Sequence, residues 1–268
     1  DTSKIMDSKM NICIQGLKKF EEIKIILETN CFYNINAPMN WAENTFWQSE
    51  AIFLSDSNGI VSLEKSPSIG GDYTGIRSMG LFESLKAVTI VNKKHIGDLK
   101  HLPLNDVVSY KISVLSDEKL LAKTTFNRFY KKNNINHYDI QRDSWQGRVF
   151  YEESKNKKPA IIVLSGSDGG IEKAQDIAMM LSNQGFVTLA ISYFGMNNQK
   201  SNLDRIPLEN LEEALKYIQK LDFVNSTKIG IYGRSKGAEY SLLFLTKYDG
   251  IKCAVLNSPS DRVYEGLK

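Results

Sequence analysis

The stretch that decides the fold is Lys228-Ile229-Gly230-Ile231-Tyr232-Gly233-Arg234-Ser235-Lys236-Gly237-Ala238-Glu239. An apolar run leads into the pattern Gly-x-Ser-x-Gly, and residues 238–247 are compatible with a helix. The order strand, sharp turn, helix is the context in which this pattern holds a nucleophilic serine, here Ser235, on a strained turn above a sheet. Gly233 and Gly237 are expected where strand and helix approach too closely for side chains. The alternative is a chance match, because the five-residue pattern alone is common.

Length and composition are those of an ordinary soluble globular chain. The 268 residues suffice for two domains or one large one, with 42% apolar and 24% charged residues. The net charge of +3 is too small to indicate nucleic-acid binding, although it suits an anionic small ligand. No apolar run approaches the ~18 residues that would span a bilayer. We therefore expect neither a nucleic-acid partner nor a membrane segment.

The cysteine content indicates a reducing compartment. Cys13, Cys31 and Cys253 are odd in number and far apart in the sequence. This pattern predicts reduced packing residues rather than a disulfide framework or a metal site. We expect a cytoplasmic protein and take a monomer as the default state.

The N-terminal half has the pattern of an antiparallel β-sandwich. Short segments of strand character follow one another without a long helix, at residues 12–14, 23–27, 46–53, 87–91, 107–114 and 120–129. The tetrapeptide at 56–59, Asp-Ser-Asn-Gly, indicates a hairpin. We expect this domain to cover residues 1–134 and to end in the polar stretch 131–134.

The C-terminal half, residues 135–268, has the alternation of an α/β fold. Continuous apolar runs at 161–164, 186–191, 229–232 and 253–256 predict strands buried on both faces. Amphipathic helices are expected at 171–184, with Ala174, Ile177, Ala178 and Leu181 inward, and at 207–221, with Leu211, Ala214, Leu215 and Ile218 inward. Residues 137–152 predict an opening antiparallel hairpin with its turn near Gln146-Gly147.

A glycine-rich loop, residues 164–170, follows the first of these parallel strands. A serine that attacks a carbonyl needs two donors for the developing oxyanion. In this fold they are the N–H after the nucleophile, here Lys236, and an N–H from this loop, for which Ser167 is the best candidate. We also assign Gly166, Asp168 and Gly169 to substrate binding. A plain turn or a phosphate-binding loop is the alternative, although neither the P-loop nor the dinucleotide fingerprint is matched.

Taken together, these motifs resemble the family of acyl-CoA thioesterases and bile acid-CoA:amino acid N-acyltransferases. The resemblance covers nearly the whole chain, and its segments follow in the family's order: Ile14–Lys18, Leu63–Pro67, Gly70–Gly75, Ser78–Leu81, Gly166–Gly170, Ser192–Phe194, Leu208-Glu209 and Gly233–Glu239. It implies an N-terminal Ig-like antiparallel β-sandwich followed by an α/β-hydrolase domain, with an acyl-CoA substrate bound near Ser235. We interpret the loop Gly70–Gly75 as structural, and a substrate-lining role remains open.

The resemblance leaves four functions open. Hydrolysis of an acyl-CoA thioester through Ser235 is preferred, because family members that transfer the acyl group to an amino acid typically carry cysteine there. Transfer to glycine or taurine is the first alternative, and another esterase or peptide-hydrolase chemistry is a further one. A non-catalytic acyl-CoA-binding module is the alternative from a different class. None of these chemistries requires a metal or prosthetic group.

The end of the chain departs from the family pattern. The triad order in this fold is serine, acid, histidine, but the 33 residues after Ser235 contain no histidine. All three histidines precede the serine: His95, His101 and His137. Asp249, Asp261 and Glu265 also follow the serine, but none lies after the further strand that precedes the acid in this fold, and we nominate none of them. We expect the hydrolase domain to be truncated here, and the natural gene to continue for on the order of 100 residues that supply two strands, the acid and the histidine.

Overall fold

The computed structural model describes residues 4–30, 41, 44–92 and 96–262. Contacts divide the chain into two compact units. The first comprises Asp1–Lys94 and Val107–Phe129, and the second comprises His95–Asp106 and Tyr130–Lys268. We keep the boundary near residue 134 as a proposal for the domain limit. His95–Asp106 belongs to the second unit by its contacts, although it precedes residue 134 in the sequence.

The first unit is built from antiparallel strands. Their bounds are β1 Cys13–Ile14, β2 Glu22–Thr29, β3 Phe46–Leu54, β4 Val61–Ser62, β5 Ser68–Gly71, β6 Lys86–Thr89, β7 Val107–Ser116 and β8 Lys119–Phe129, with one short helix, α1 Gly80–Glu83. Among the described residues, the main sheet has the order β5-β3-β2-β7-β8, β6 also pairs with β3, and β1 pairs with β4. The predicted antiparallel class of this half is confirmed.

Alternation along the strands creates the core of this unit. In β2, Ile23, Ile25 and Leu27 point to one face and are at most 1% exposed. Because side chains alternate across a strand, the same face of the paired β3 buries Ala51 and Phe53. Apolar residues at every second position therefore favour β2 and β3 as strands, and burial of one face fixes their pairing register.

The prediction of a hairpin at residues 56–59 is wrong, because the strands on either side of the turn do not pair with each other. The residues do form a tight turn, in which the Asp56 carboxylate accepts the N–H groups of Asn58 and Ile60. However, β3 before the turn lies in the main sheet, whereas β4 after it pairs with β1. The turn instead packs on the chain after β1, where Leu17 donates its N–H to the carbonyl of Gly59. Long-range pairing overrode the local signal.

The second unit is a mixed sheet with helices. Its elements are β9 Ile135–Gln141, β10 Gln146–Glu152, β11 Lys158–Leu164, α2 Glu172–Ser182, β12 Val187–Ser192, α3 Glu209–Gln219, β13 Val224–Arg234, α4 Lys236–Leu245 and β14 Cys253–Asn257. The described strands have the order β14-β13-β11-β12-β10-β9. The first four are mutually parallel, and β10 is antiparallel to β12 and to β9. The predicted α/β-hydrolase class is confirmed.

The opening hairpin has its turn earlier than predicted. Residues 142–145 form it, with the Arg142 N–H bonded to the Trp145 carbonyl, and Gln146 and Gly147 already belong to β10. A Cβ atom on Gly147 would lie 2.7 Å from the Ala190 carbonyl oxygen of β12. The glycine is therefore required by close strand packing and not by a turn.

Helix α2 buries a partly polar face. The predicted inner residues Ala174 and Ala178 are buried, but Ile177 is only partly so, as is Leu181. Gln175 is buried in addition. Its amide donates to the carbonyls of Pro103 and Leu104, and its oxygen accepts from Arg148. The helix thus contacts the chain at residues 103 and 104, which the apolar pattern could not show. The inward face predicted for α3 is confirmed.

The cysteines do not pack as predicted. Cys13 and Cys253 are free thiols on exposed residues, whereas Cys31 lies outside the described residues, as do His95 and Glu265. Cys13 lies in a strand of only two residues, and Cys253 lies in β14, which was predicted to be buried on both faces but is exposed at four of its five residues. In the described part of the chain, none of the helices has the length and apolar character to cross a bilayer.

Candidate active site

Ser235 occupies a strained turn between β13 and α4. Its backbone has φ 52° and ψ −120°, a region that residues other than glycine rarely adopt. The Ser235 N–H donates to the Asn257 carbonyl at 2.8 Å, and the Ser235 carbonyl accepts from Ala238 and Glu239. Strand, turn and helix therefore follow one another as the sequence predicts. Strain of this kind persists only where the surroundings hold it and is concentrated at functional sites.

The two glycines beside this serine have different close neighbours. A Cβ atom on Gly233 would lie 2.5 Å from the Gly237 carbonyl oxygen and 2.8 Å from the Ala238 Cα, where strand meets helix. A Cβ atom on Gly237 would lie 2.0 Å from the Ser165 carbonyl oxygen. Both positions exclude side chains, but at Gly237 the obstacle is the loop after β11 rather than the strand.

The loop after β11 lies against the serine. Strands β11 and β13 are parallel neighbours with Leu164 opposite Gly233, so both end at the same edge of the sheet. A Cβ atom on Gly166 would lie 3.2 Å from the Ser235 Cβ and 3.7 Å from its Oγ. Ser167, the next residue, is exposed. The structure thus brings the predicted oxyanion loop and the predicted nucleophile together.

Hydrogen bonds fix the conformation of this loop. The Ser165 hydroxyl donates to the Gly170 carbonyl at 3.1 Å, and the Gly170 N–H donates to the Phe194 carbonyl at 3.0 Å. The Tyr193 hydroxyl oxygen lies 3.2 Å from the carbonyl oxygens of both Ser165 and Gly166, which share its single hydrogen. Tyr193 is a residue for which sequence reasoning assigned no role, because only its membership of the motif 192–194 was visible.

The Asp168 carboxylate is engaged by cations of the protein. Its Oδ2 lies 3.0 Å from the Nζ of Lys173 and 3.8 Å from the Nη1 of Arg234. Lys173 belongs to the first turn of α2, and its side chain is 5% exposed. Arg234 directly precedes the serine. Asp168 therefore connects the loop to both flanking elements, a contact that the substrate-binding prediction did not include.

Lys236 and its neighbours form the first turn of α4. The Nζ of Lys236 lies 3.0 Å from the Glu239 carboxylate, and both side chains are mostly buried. The N–H groups at a helix N-terminus and the helix dipole favour negative charge. The backbone of Lys236 is therefore suited to stabilise an anion beside Ser235, while its ammonium group pairs with Glu239.

The described histidines lie at or near β9, at the opposite edge of the sheet from β13 and Ser235. His137 is on β9, four strand spacings from β13, or roughly 19 Å at ~4.8 Å per spacing. Burial, together with the nearby Arg148, lowers the pKa of His137. His101 is in a 3₁₀ turn that packs on β9, and its Nδ1 lies 3.0 Å from Asp98. Neither can take the Ser235 proton. Within the described ranges, His, Cys, Asp and Glu side chains form no group of three that could bind a metal.

Family models match both parts of the chain. Residues 7–142 match the "Acyl-CoA thioester hydrolase/BAAT N-terminal region", and residues 206–266 match the "BAAT / Acyl-CoA thioester hydrolase C terminal". The first match alone covers half of the chain. It includes the Gly70–Gly75 loop, whereas the second includes Ser235.

Several curated proteins are similar over most of this chain. Bile acid-CoA:amino acid N-acyltransferase of Mus musculus is 26% identical over 98% of this chain and 63% of its own length. Acyl-coenzyme A amino acid N-acyltransferase 1 of the same species is 31% identical over 78% of this chain and 50% of its own. Mitochondrial acyl-coenzyme A thioesterase 2 of Homo sapiens is 23% identical over 93% and 49%, respectively. The matches thus span between 49% and 63% of the length of these relatives.

Among solved structures, the α/β hydrolase GrgF from Penicillium sp. sh18 is similar to this chain. The match covers 47% of this chain and 46% of the GrgF chain, with 19% sequence identity and a TM-score of 0.40. The two family matches place the chain more specifically. It belongs to the acyl-CoA thioester hydrolase/BAAT family.

Proposed function

We propose that the protein hydrolyses an acyl-CoA thioester to a free acid and CoA through an acyl-enzyme on Ser235. The observation that supports this proposal best is the strained backbone of Ser235, with the loop 165–170 against its hydroxyl. The relatives' names, which include acyl-CoA thioesterases and acyl-CoA:amino acid N-acyltransferases, support an acyl-CoA as the substrate. A cytoplasmic location and a monomeric state are part of the same proposal.

In the first step, the Ser235 Oγ attacks the thioester carbonyl and loses its proton to a base. The carbonyl oxygen becomes an oxyanion that accepts hydrogen bonds from the N–H groups of Lys236 and Ser167. When the tetrahedral species collapses, the C–S bond breaks, CoA leaves as the thiolate, and the acyl group remains on the serine. Because Gly166 has no side chain, space remains beside Ser235 for the thioester carbonyl of the substrate.

In the second step, water replaces the serine. A water molecule attacks the acyl-enzyme carbonyl, the same two N–H groups stabilise the oxyanion, and the bond to Ser235 breaks to release the acid. In this fold a histidine held by a carboxylate moves the protons, and both residues follow the serine in the chain. We therefore expect them after Ser235 and not among His101 and His137.

Transfer of the acyl group to an amino acid is the second candidate. The relatives of 26% and 31% identity are named as amino acid N-acyltransferases, so an amine could replace water in the second step. We prefer water because the nucleophile is serine. A purely acyl-CoA-binding role is disfavoured, since binding alone does not require a strained serine.

The experiment uses the product of the complete gene and a panel of acyl-CoAs of different chain lengths. We expect release of the CoA thiol, a loss of at least ~10³-fold in turnover for Ser235→Ala, and an acyl adduct on the peptide that contains Ser235. Ser154→Ala, in the exposed loop between β10 and β11, is the matched control and should keep full turnover. Normal turnover by Ser235→Ala would disprove the proposal.

A product assay with and without glycine or taurine separates the two candidates. Free acid as the main product in both conditions supports hydrolysis. A dominant N-acyl product in the presence of the amino acid would assign the transferase function instead.

A further inference from the structure

We propose that Tyr193 is a positioning residue for this reaction: its buried hydroxyl orients the peptide unit whose N–H, that of Ser167, stabilises the oxyanion. This inference rests on the proposed function. Tyr193 follows β12 directly and is 2% exposed. Its place at the carboxyl edge of the sheet brings it beneath the loop 165–170.

The planarity of the peptide bond connects the tyrosine to the donor. The Gly166 carbonyl and the Ser167 N–H belong to one trans peptide unit, so they point in opposite directions. The Tyr193 hydroxyl holds the Gly166 oxygen at 3.2 Å. The Ser167 N–H must therefore point away from the tyrosine, and the loop cannot rotate this unit without breaking that bond.

The same unit lies beside the nucleophile. The Cβ position of Gly166 is 3.7 Å from the Ser235 Oγ. The Ser167 N–H is attached to the carbonyl carbon of the same glycine, so the peptide unit that carries it begins at the residue beside Ser235. The same hydrogen is shared with the Ser165 carbonyl, also at 3.2 Å, so the preceding unit lies against the phenol as well.

The phenol is itself held rigidly. Its ring stacks on that of Tyr240, with centroids 4.8 Å apart and planes 7° from parallel, and contacts Phe194 edge to face. Burial raises the pKa of the Tyr193 hydroxyl, so the group stays a protonated donor at physiological pH. Preorganised donors of this kind do not have to reorient when charge develops, which is why they are effective in catalysis.

The test compares Tyr193→Phe with Tyr240→Phe in the product of the complete gene. Both changes remove one phenolic hydroxyl and keep the stacked rings, but the Tyr240 hydroxyl donates to the Pro207 carbonyl, outside the loop. We expect Tyr193→Phe to lower kcat by about 10- to 100-fold, less than the 10²–10³ of a lost oxyanion donor, with KM within about 3-fold. Tyr240→Phe should change both constants by less than about 3-fold.

Two ligands separate orientation of the donor from packing. A trifluoromethyl ketone analogue of the acyl-CoA forms a tetrahedral oxyanion, whereas a thioether analogue only occupies the site. Tyr193→Phe should weaken the ketone by the same factor as kcat and leave the thioether within about 3-fold. Equal losses for the two ligands, or equal losses in the two variants, would assign Tyr193 to packing alone.

Amide hydrogen exchange provides a readout that does not depend on activity. In Tyr193→Phe, peptides that cover residues 165–170 should exchange at least about 10-fold faster than in the wild type or Tyr240→Phe. If Ser235→Ala abolishes turnover but Tyr193→Phe retains kcat, the positioning role is wrong and the proposed function stands. If Ser235→Ala retains turnover, the proposed function is wrong. Independently of turnover, unchanged amide exchange in Tyr193→Phe would disprove that Tyr193 holds the loop.

Discussion

Gly166 lies beside Ser235, so that a Cβ atom added to the glycine would be 3.2 Å from the serine Cβ and 3.7 Å from its Oγ. The loop that follows β11 therefore approaches Ser235 closely enough that one methyl group would enter the space above it. In the proposed mechanism this space holds the substrate carbonyl, which Ser235 attacks and whose oxygen two N–H groups bind.

We predict that Gly166→Ala lowers kcat/KM by at least ~10-fold. A reacting carbonyl has to approach to about 3 Å, and small displacements of this kind are costly for catalysis. The backbone at Gly166 does not have a positive φ, so alanine introduces no conformational strain there. The measurement is steady-state CoA release by the wild type and the variant.

Stability is the control for this variant. The added methyl group is no closer than 3.2 Å to its neighbours, which a shift of a few tenths of an ångström relieves. The unfolding midpoint of Gly166→Ala should therefore change little. A variant with unimpaired kcat/KM would contradict the placement of the substrate carbonyl beside Gly166, whereas a large drop in stability would leave its kinetics attributable to misfolding.

A second prediction concerns Asp168, which the sequence assigned to substrate binding. Because its carboxylate lies 3.0 Å from the buried Nζ of Lys173, Asp168→Asn removes an anionic partner of that ammonium group. We expect the free energy of unfolding to fall by about 1–3 kcal/mol. Urea denaturation checks this value, and Glu212→Gln, which removes the partner of the exposed ammonium group of Lys216, is the control with less than about 0.5 kcal/mol.

Kinetics of the same variant distinguish the two interpretations of Asp168. A carboxylate that only connects the loop to Lys173 and Arg234 predicts a stability loss with KM within about 3-fold. A carboxylate that binds substrate predicts the reverse, a raised KM with unchanged stability.

Patterns local in sequence predicted most of the fold. The apolar runs of β11 to β13 and the glycine pair around Ser235 were sufficient to place the sheet and the strained turn, because both depend on contiguous residues. The partners of the turn at 56–59 were not predictable, since β4 joins β1 through a pairing remote in sequence. The contacts of residues 99–104 with Arg148 and Gln175 were missed for the same reason.

The site residues also divide into those that a local motif predicted and those whose role depends on contacts remote in sequence. Ser235 and the loop 165–170 have local motifs, and the structure brings them together. The contacts of Tyr193 with that loop join residues 27 and 28 positions apart, and the tyrosine by itself is an ordinary aromatic residue at a strand end. Only the three-dimensional arrangement distinguishes it from a packing residue.

The last prediction concerns Asp72, in the loop Gly70–Gly75 that we interpret as structural. One carboxylate oxygen accepts the Glu50 N–H at 2.9 Å, and the other lies 2.5 Å from the Nζ of Lys86. Burial alone would raise the pKa of Asp72, but the Lys86 ammonium group and the Glu50 N–H together lower it below its ordinary value. The folded state therefore binds this proton less readily than the unfolded state.

The sign of the pH dependence follows from this difference. A carboxyl group with a lowered pKa in the folded state stabilises it above the unfolded pKa, about 3.9, and this contribution is lost as the pH falls through the folded value. We expect Asp72→Asn to lower the free energy of unfolding by roughly 1–2 kcal/mol at pH 7, with a deficit that shrinks below about pH 4. Urea denaturation at pH 7, 5, 4 and 3 measures it. Asp117→Asn, at an exposed turn, is the control with no deficit. A deficit for Asp72→Asn that is the same at pH 7 and pH 3 would show that the lost contact is not the ionised carboxylate, and a variant as stable as the wild type at pH 7 would refute the structural role of this loop residue.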